Sequence, residues 1–340
     1  MDDQRAVISA LAVVILFVSS IGCSEITEFQ DSYTGSLVVL SSDLQIVQQL
    51  DGLRDPSSLL LHEGRIFVFS SQGTVYDIDP SNMEITAEHS VGPPFPSGYR
   101  NPVYCPSEGK AYVTGAYSTL LELSLPDCEV LDQFMVCASP GDLEVSSGNP
   151  GYLWVIDTAN NRMYQVSLEY NQSVNQVGYS EETPVQCLAA AQAPDSLVVG
   201  TSCRIYKVTL NGEGGIRNAQ MGQFIGDVKS IRAVPNRTDF LVATESMAGL
   251  MSIFMEEYRA TLNWTSATSI EGHDHEILPL GDGMNAVSLS FMTQGSIRVC
   301  KYYYCDGFTR TAQIDLDSYA TDIAVSQMGE GLIYLLLLDY

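Results

Sequence analysis

"GLIYLLLLDY", residues 331–340, is the stretch that decides the fold. Leu332 to Leu338 is a near-continuous apolar run of strand length, and such runs read as strands covered on both faces. A strand of this kind needs a neighbour on each side, and none follows it. The missing neighbour lies at the other end of the chain. "GSLVVLSSDLQIVQQLDG", Gly35 to Gly52, holds two apolar-rich runs about a polar turn at Ser41, Ser42 and Asp43.

Between these ends one pattern recurs: a short apolar run, a polar turn, a stronger strand, a turn, then a hairpin of two alternating strands. Its copies begin near Asp55 ("DPSSLLLHEGRIFVFS"), Asn101 ("NPVYCPSEGKAYVTG") and Pro140 ("PGDLEVSSGNPGYLWVID"). They continue near Pro184, Asp227 and His273, and the last starts near Tyr319 ("YATDIAVSQMGEGLIYLLLLDY"). The spacing is roughly 39 to 46 residues, the length of a four-stranded propeller blade. Almost nothing after residue 34 carries helical periodicity. The seventh copy stops after two strands, and Gly35 to Gly52 supplies the two that it lacks. The expected fold is therefore all-β: a seven-bladed β-propeller over 35–340, closed by pairing the N-terminal hairpin with the C-terminal strands. Closure of this kind removes the open sheet edges that invite aggregation.

"EGKAYVTGAYSTLLELSL", 108–125, resembles a YVTN-type propeller repeat, and "GYLWVIDTANNRMYQVSL", 151–168, resembles an NHL-type repeat. Asp157, Asn160, Asn161 and Arg162 carry the second resemblance. Their residue types read as a turn device, since Asx side chains satisfy nearby backbone groups and tolerate left-handed geometry.

The N-terminus has a different character. "AVISALAVVILFVSSIGC", 6–23, follows a short segment containing Arg5 and reads as a secretory signal over 1–22, with 23–34 as a linker. "SIGC" resembles a bacterial lipobox, which implies lipid attachment at Cys23. A cleaved soluble protein and an uncleaved anchor are the alternatives. The expected location is the cell envelope, as an exported outer-membrane or cell-surface lipoprotein, with the periplasm as the other option. Export favours disulfides. Cys187 and Cys203 sit symmetrically about Pro194-Asp195, and Cys300 and Cys305 flank a second turn region. Both pairs are candidates, against the alternative that the cysteines are small buried hydrophobes.

The 41 acidic residues against 16 basic ones give a net charge of −25, which argues against a nucleic-acid partner. No Gly-x-Ser-x-Gly elbow, P-loop, dinucleotide fingerprint or Cys-x-x-Cys zinc spacing occurs. One constellation stands out: "HDHE", 273–276. In an extended segment His273 and His275 share one side, while Asp274 and Glu276 share the other. Aligning the copies puts Ser58, Pro102, Asp142, Gln186, Ser230, Glu276 and Asp322 at equivalent points around the channel mouth. Carboxylates converging there suit a hard cation such as Ca²⁺. Asp142, His275, Glu276 and Asp322 are thus the candidate metal residues, and the mouth loosely resembles that of gluconolactonase-like propellers. The plain alternative is a hydrated polar channel. Tyr302, Tyr303 and Tyr304 in "KYYYCDGF" form a candidate interface, against the alternative that they pack between blades. Two functional readings follow: a lipid-anchored binding or scaffolding module for an envelope protein, peptide or glycan, and a metal-dependent hydrolase or lactonase.

Overall fold

A computed structural model describes the chain from Tyr33 to Asp339, apart from Pro96, Cys203 and the segments 146–150, 179–184, 191–195, 211–215, 225–227, 234–238, 245–247, 254–259, 264–273, 279–283, 292–295, 305–307 and 327–330. Many side chains between 186 and 296 also lie outside the description. The described chain forms seven four-stranded antiparallel sheets. Six are built from consecutive strands. Their innermost strands are Pro56–His62, Arg100–Cys105, Pro140–Val145, Val185–Ala190, Val228–Ala233 and Asp274–Leu278. We number these blades one to six. The seventh takes Tyr319–Val325 and Ile333–Asp339 from one end of the chain, and Thr34–Leu40 and Ile46–Arg54 from the other.

Each innermost strand touches that of the next blade, and the strand of blade seven touches those of blades six and one, so the ring closes. The composite blade is joined by an unbroken ladder from Thr34 opposite Asp339 to Leu40 opposite Ile333. Alternation along Ile333–Asp339 explains its apolar run. Ile333, Leu335 and Leu337 face a cluster with Val287, Ile297 and Val299 of blade six. Tyr334 and Leu336 face Leu59, Ile66 and Val68 of blade one. A strand with a blade on either side has no polar face to present.

The other blades pack by the same device. Phe67, Phe69 and Val75 of blade one meet Ala111, Val113 and Leu121 of blade two. Trp154, Ile156 and Met163 of blade three meet Val185, Leu197 and Val199 of blade four. The outermost strands carry the solvent: Ile46–Arg54 and Glu84–Ser90 are mostly exposed.

One of the two cysteine expectations, Cys300 with Cys305, needs correction. The blade-four ladder sets Cys187 opposite Gly200. Cys203 itself lies outside the described residues. Cys300 is a buried free thiol in the middle of the strand Ile297–Tyr304. The turn was expected just after it, but the strand runs on for four more residues, and Cys305 lies outside the described residues. Cys105, Cys128 and Cys137 likewise form no disulfide. Burial pushes the Cys128 and Cys137 thiols up to about 12, as for small buried hydrophobes.

Candidate functional site

Six of the seven innermost strands break register near their start. The breaks fall at Pro56/Ser58, Arg100/Val103, Pro140/Leu143, Val185/Cys187, Val228/Ser230 and Ala320/Asp322. A bulge inserts an unpaired residue and re-aims its side chain. The residues at or within these breaks include Ser58, Pro102, Asp142, Gln186, Ser230 and Asp322, the positions that repeat alignment places at the mouth.

Several of these side chains reach a neighbouring blade. The hydroxyls of Ser57 and Ser58 donate to the Tyr99 carbonyl of blade two, at 2.8 and 2.6 Å. Asn101 Nδ2 donates to the Gly141 carbonyl of blade three at 2.9 Å. The amide of Leu59 donates to Asp322 Oδ2 at 2.8 Å, tying blade one to blade seven. The other Asp322 oxygen accepts from its own neighbour, Ile323 N–H, at 2.9 Å. Asp142 Oδ1 accepts from Leu143 N–H at 3.1 Å. At such a crowded ring these bonds satisfy backbone groups that a bulge takes out of the ladder.

The cavity at the centre has a volume of about 400 Å³ and is bordered by blades one, two, three, five and seven. Pro102, Asp142 and Asp322 line it, whereas Ser58 and Ser230, aligned with them, do not. Glu144 and Arg232 line it too, and the alignment missed both. Each stands two residues beyond an aligned position (142 and 230), so strand alternation held the signal for them. The Arg232 guanidinium donates to the Ile231 carbonyl at 3.2 Å, and its charge opposes a cation in the same space. His275 and Glu276 stand opposite Ser288 and Val287 on the blade-six ladder. Their side chains, and the whole of His273, lie outside the described residues. Among the described residues no three His, Cys, Asp or Glu side chains are grouped as a metal site.

The turn at Asp157 behaves as its residue types indicate. Asp157 is fully buried. Its Oδ1 accepts from the amides of Ala159, Asn160 and Ser139, and its Oδ2 from Asn160 Nδ2 and the Ala138 amide. The carboxylate thus shapes its own turn and also holds the segment leading into blade three.

The tyrosine cluster divides. Tyr302 is 5% exposed and belongs to the core, whereas Tyr303 is exposed. The side chain of Tyr304 lies outside the described residues. Tyr302 therefore gives nothing to a surface patch, because strand alternation turns it inward. His62 of blade one packs at a tilt against Tyr104 of blade two, at 3.9 Å between ring centroids.

Between blades two and three sits a polar clasp that sequence reading passed over. Tyr112, Glu122 and Asp132 stand opposite one another on three adjacent strands. Lys110 Nζ lies 2.5 Å from Glu122 Oε1, and this bond raises the lysine pKa. Asn171 of blade three donates through Nδ2 to Glu122 Oε2 at 3.0 Å and to Asp132 Oδ2 at 2.7 Å. No local pattern announces it, because Asn171 lies 49 residues from Glu122.

No protein-family profile and no curated protein matches the sequence. Solved structures do match. The β-propeller domain of Myceliophteria thermophila Cps50 (Swd1) superposes with a TM-score of 0.65 at 10% identity, over 83% of this chain and 96% of that one. U3-55K matches with a TM-score of 0.59 at 10% identity, over 84% and 95%. Kuenenia stuttgartiensis hydrazine synthase matches at 0.62 and 10% identity, over 82% and 91%. At this identity the likeness establishes the fold: the chain is an all-β propeller.

Proposed function

We propose that this chain is an exported, lipid-anchored propeller that works as a binding or scaffolding module for an envelope protein, peptide or glycan. The observation that carries the reading is the use made of the mouth side chains. Ser58, Asn101 and Asp322 are bonded to the backbone of neighbouring blades, so the polar ring is spent on rigidity. A rigid ring that presents loops is suited to holding a partner without reorganising. Lipid attachment at Cys23 would hold such a module at the envelope. Metabolic labelling with palmitate tests the anchor: label in the wild type and none in Cys23→Ala supports it, and no label in the wild type sinks it. In-cell photo-crosslinking from the loops of the channel-mouth face tests the module. A discrete crosslinked species supports it, and none from any loop position counts against it.

A second reading is kept by one observation, the shared cavity of Asp142 and Asp322. In it, these carboxylates with His275 and Glu276 would hold Ca²⁺, and the ion would polarise a carbonyl or activate water for hydrolysis. Elemental analysis and chelator-dependent melting decide it. Stoichiometric calcium with a melting point that falls on chelation favours the hydrolase, and no metal removes it.

A further inference from the structure

Counted back from the ends of the innermost strands, the residues around the central cavity fall into layers. Asp142 and Asp322 stand three residues before the ends of Pro140–Val145 and Tyr319–Val325. Glu144 and Arg232 are each the last residue but one, in Pro140–Val145 and Val228–Ala233. All four are half-buried and line the same cavity of about 400 Å³. Two residues of extended chain separate the two layers, a rise of about 7 Å.

The level between them has a different character. Leu60, Val103, Leu143, Ile231 and Ile323 stand two residues before the ends of their strands, and all line the cavity. Every blade that borders the space is therefore apolar at this level. The cavity presents carboxylates at its mouth, an apolar collar below them, and a carboxylate with a guanidinium below that.

Backbone hydrogen bonds hold the charged groups in place. Asp142 Oδ1 accepts from Leu143 N–H, and the two Asp322 oxygens accept from the amides of Leu59 and Ile323. Arg232 donates to the Ile231 carbonyl. A carboxylate offers about four lone-pair sites and a guanidinium five N–H donors, more than these bonds use. A bare cation would match the mouth and be opposed by Arg232. A simple anion would match Arg232 and be opposed by three carboxylates. The layers together call for an occupant that is charged at both ends, apolar in the middle, and carries both signs.

We propose that the cavity binds a free α,ω-diamino acid of the lysine type. Its α-carboxylate pairs with the Arg232 fork, which suits a carboxylate bidentately, and its α-ammonium pairs with Glu144. Its four-carbon stem crosses the apolar collar and brings the terminal ammonium to the layer of Asp142 and Asp322. Two ammonium groups and one carboxylate thus face three carboxylates and one guanidinium. The chain's net charge of −25 draws a cationic ligand toward the channel. The inference needs no macromolecular partner and goes beyond the binding-module reading.

The test is equilibrium dialysis of the full chain in detergent against radiolabelled L-lysine at low ionic strength. One lysine per chain should bind, with a dissociation constant below about 1 mM. Arg232→Met and Asp142→Asn should each weaken it by about tenfold or more. Two analogues separate the layers. Cadaverine lacks the α-carboxylate, so its weaker binding should be no worse in Arg232→Met. Norleucine lacks the terminal ammonium, so its weaker binding should be no worse in Asp142→Asn. Where a variant fails to fold, the wild type alone decides, because lysine should bind at least about tenfold tighter than either analogue. No saturable lysine binding, or equal binding of the three ligands, overturns the proposal. So does stoichiometric calcium that survives dialysis and that lysine does not displace. Crosslinking from the loops reports on the binding module whatever the lysine result, so the two readings fail separately.

Discussion

Two junctions in this ring hold neighbouring blades by different means. Around blade seven, Ile333–Asp339 is flanked by two large apolar clusters and joined to the other chain end by a backbone ladder, with the single Leu59–Asp322 bond beside them. Between blades two and three, an apolar cluster is supplemented by the Lys110–Glu122–Asn171–Asp132 clasp. The difference teaches where each kind of force is useful. The seam joins segments about 300 residues apart, and apolar area is non-directional, so it tolerates small errors of approach. The clasp joins segments already neighbours in the chain, where exact hydrogen-bond geometry can be met and can fix blade angle.

The largest effect should come from removing the seam's ladder. Deleting Thr34–Arg54 leaves the edge of Ile333–Asp339 bare, and the expected product is insoluble or aggregating, as measured by sedimentation. Next comes Leu336→Ala, which opens a cavity in the cluster facing blade one. It should cost about 3 kcal/mol in denaturant unfolding. A loss under about 1 kcal/mol would mean that the seam relaxes freely and that the contrast with the clasp is wrong. Asp322→Ala removes the acceptor of the Leu59 amide and should cost about 2 kcal/mol. Asn171→Ala unties two carboxylates from the clasp and should cost about 1 kcal/mol. If Asn171→Ala proves worse than Leu336→Ala, polar geometry and not apolar area is the dominant glue. The smallest effect belongs to a surface pair away from both junctions. Arg298 holds the Asp315 carboxyl below its ordinary range by hydrogen bonding. The folded-state pKa is depressed, so this contribution is present above the unfolded pKa of about 4 and lost as pH falls through the folded one. The pair is substantially exposed, so Asp315→Asn should cost less than about 0.5 kcal/mol at pH 7, and progressively less as the pH falls below the unfolded value.

Much of the ring was legible in the sequence because its information is local and repeated. The starts near Asp55, Asn101, Pro140 and Tyr319 fall within one residue of the observed innermost strands. The composite blade was legible because Leu332 to Leu338 has no polar face. Of the positions aligned by counting repeats, Pro102, Asp142 and Asp322 line one cavity, whereas Ser58 and Ser230 are buried and do not. What stayed hidden depends on distance. The bond from Leu59 to Asp322 spans 263 residues, and no local pattern announces it. Cys300 was set beside a turn because the sequence did not show that the strand Ile297–Tyr304 runs on past it. Tyr302 was grouped with its neighbours because composition ignores which side of a strand faces the next blade.

The composite blade also sets an order of events. Val38 cannot meet Leu335 until the strand Ile333–Asp339 has been made, and bringing such distant segments together carries a loop-closure entropy of about 5 kcal/mol. Six blades can assemble as they appear, while the first hairpin waits for the last strand. The seam therefore acts as a check on completeness: a chain interrupted late keeps an exposed apolar hairpin at its front, where proteases and chaperones would meet it first.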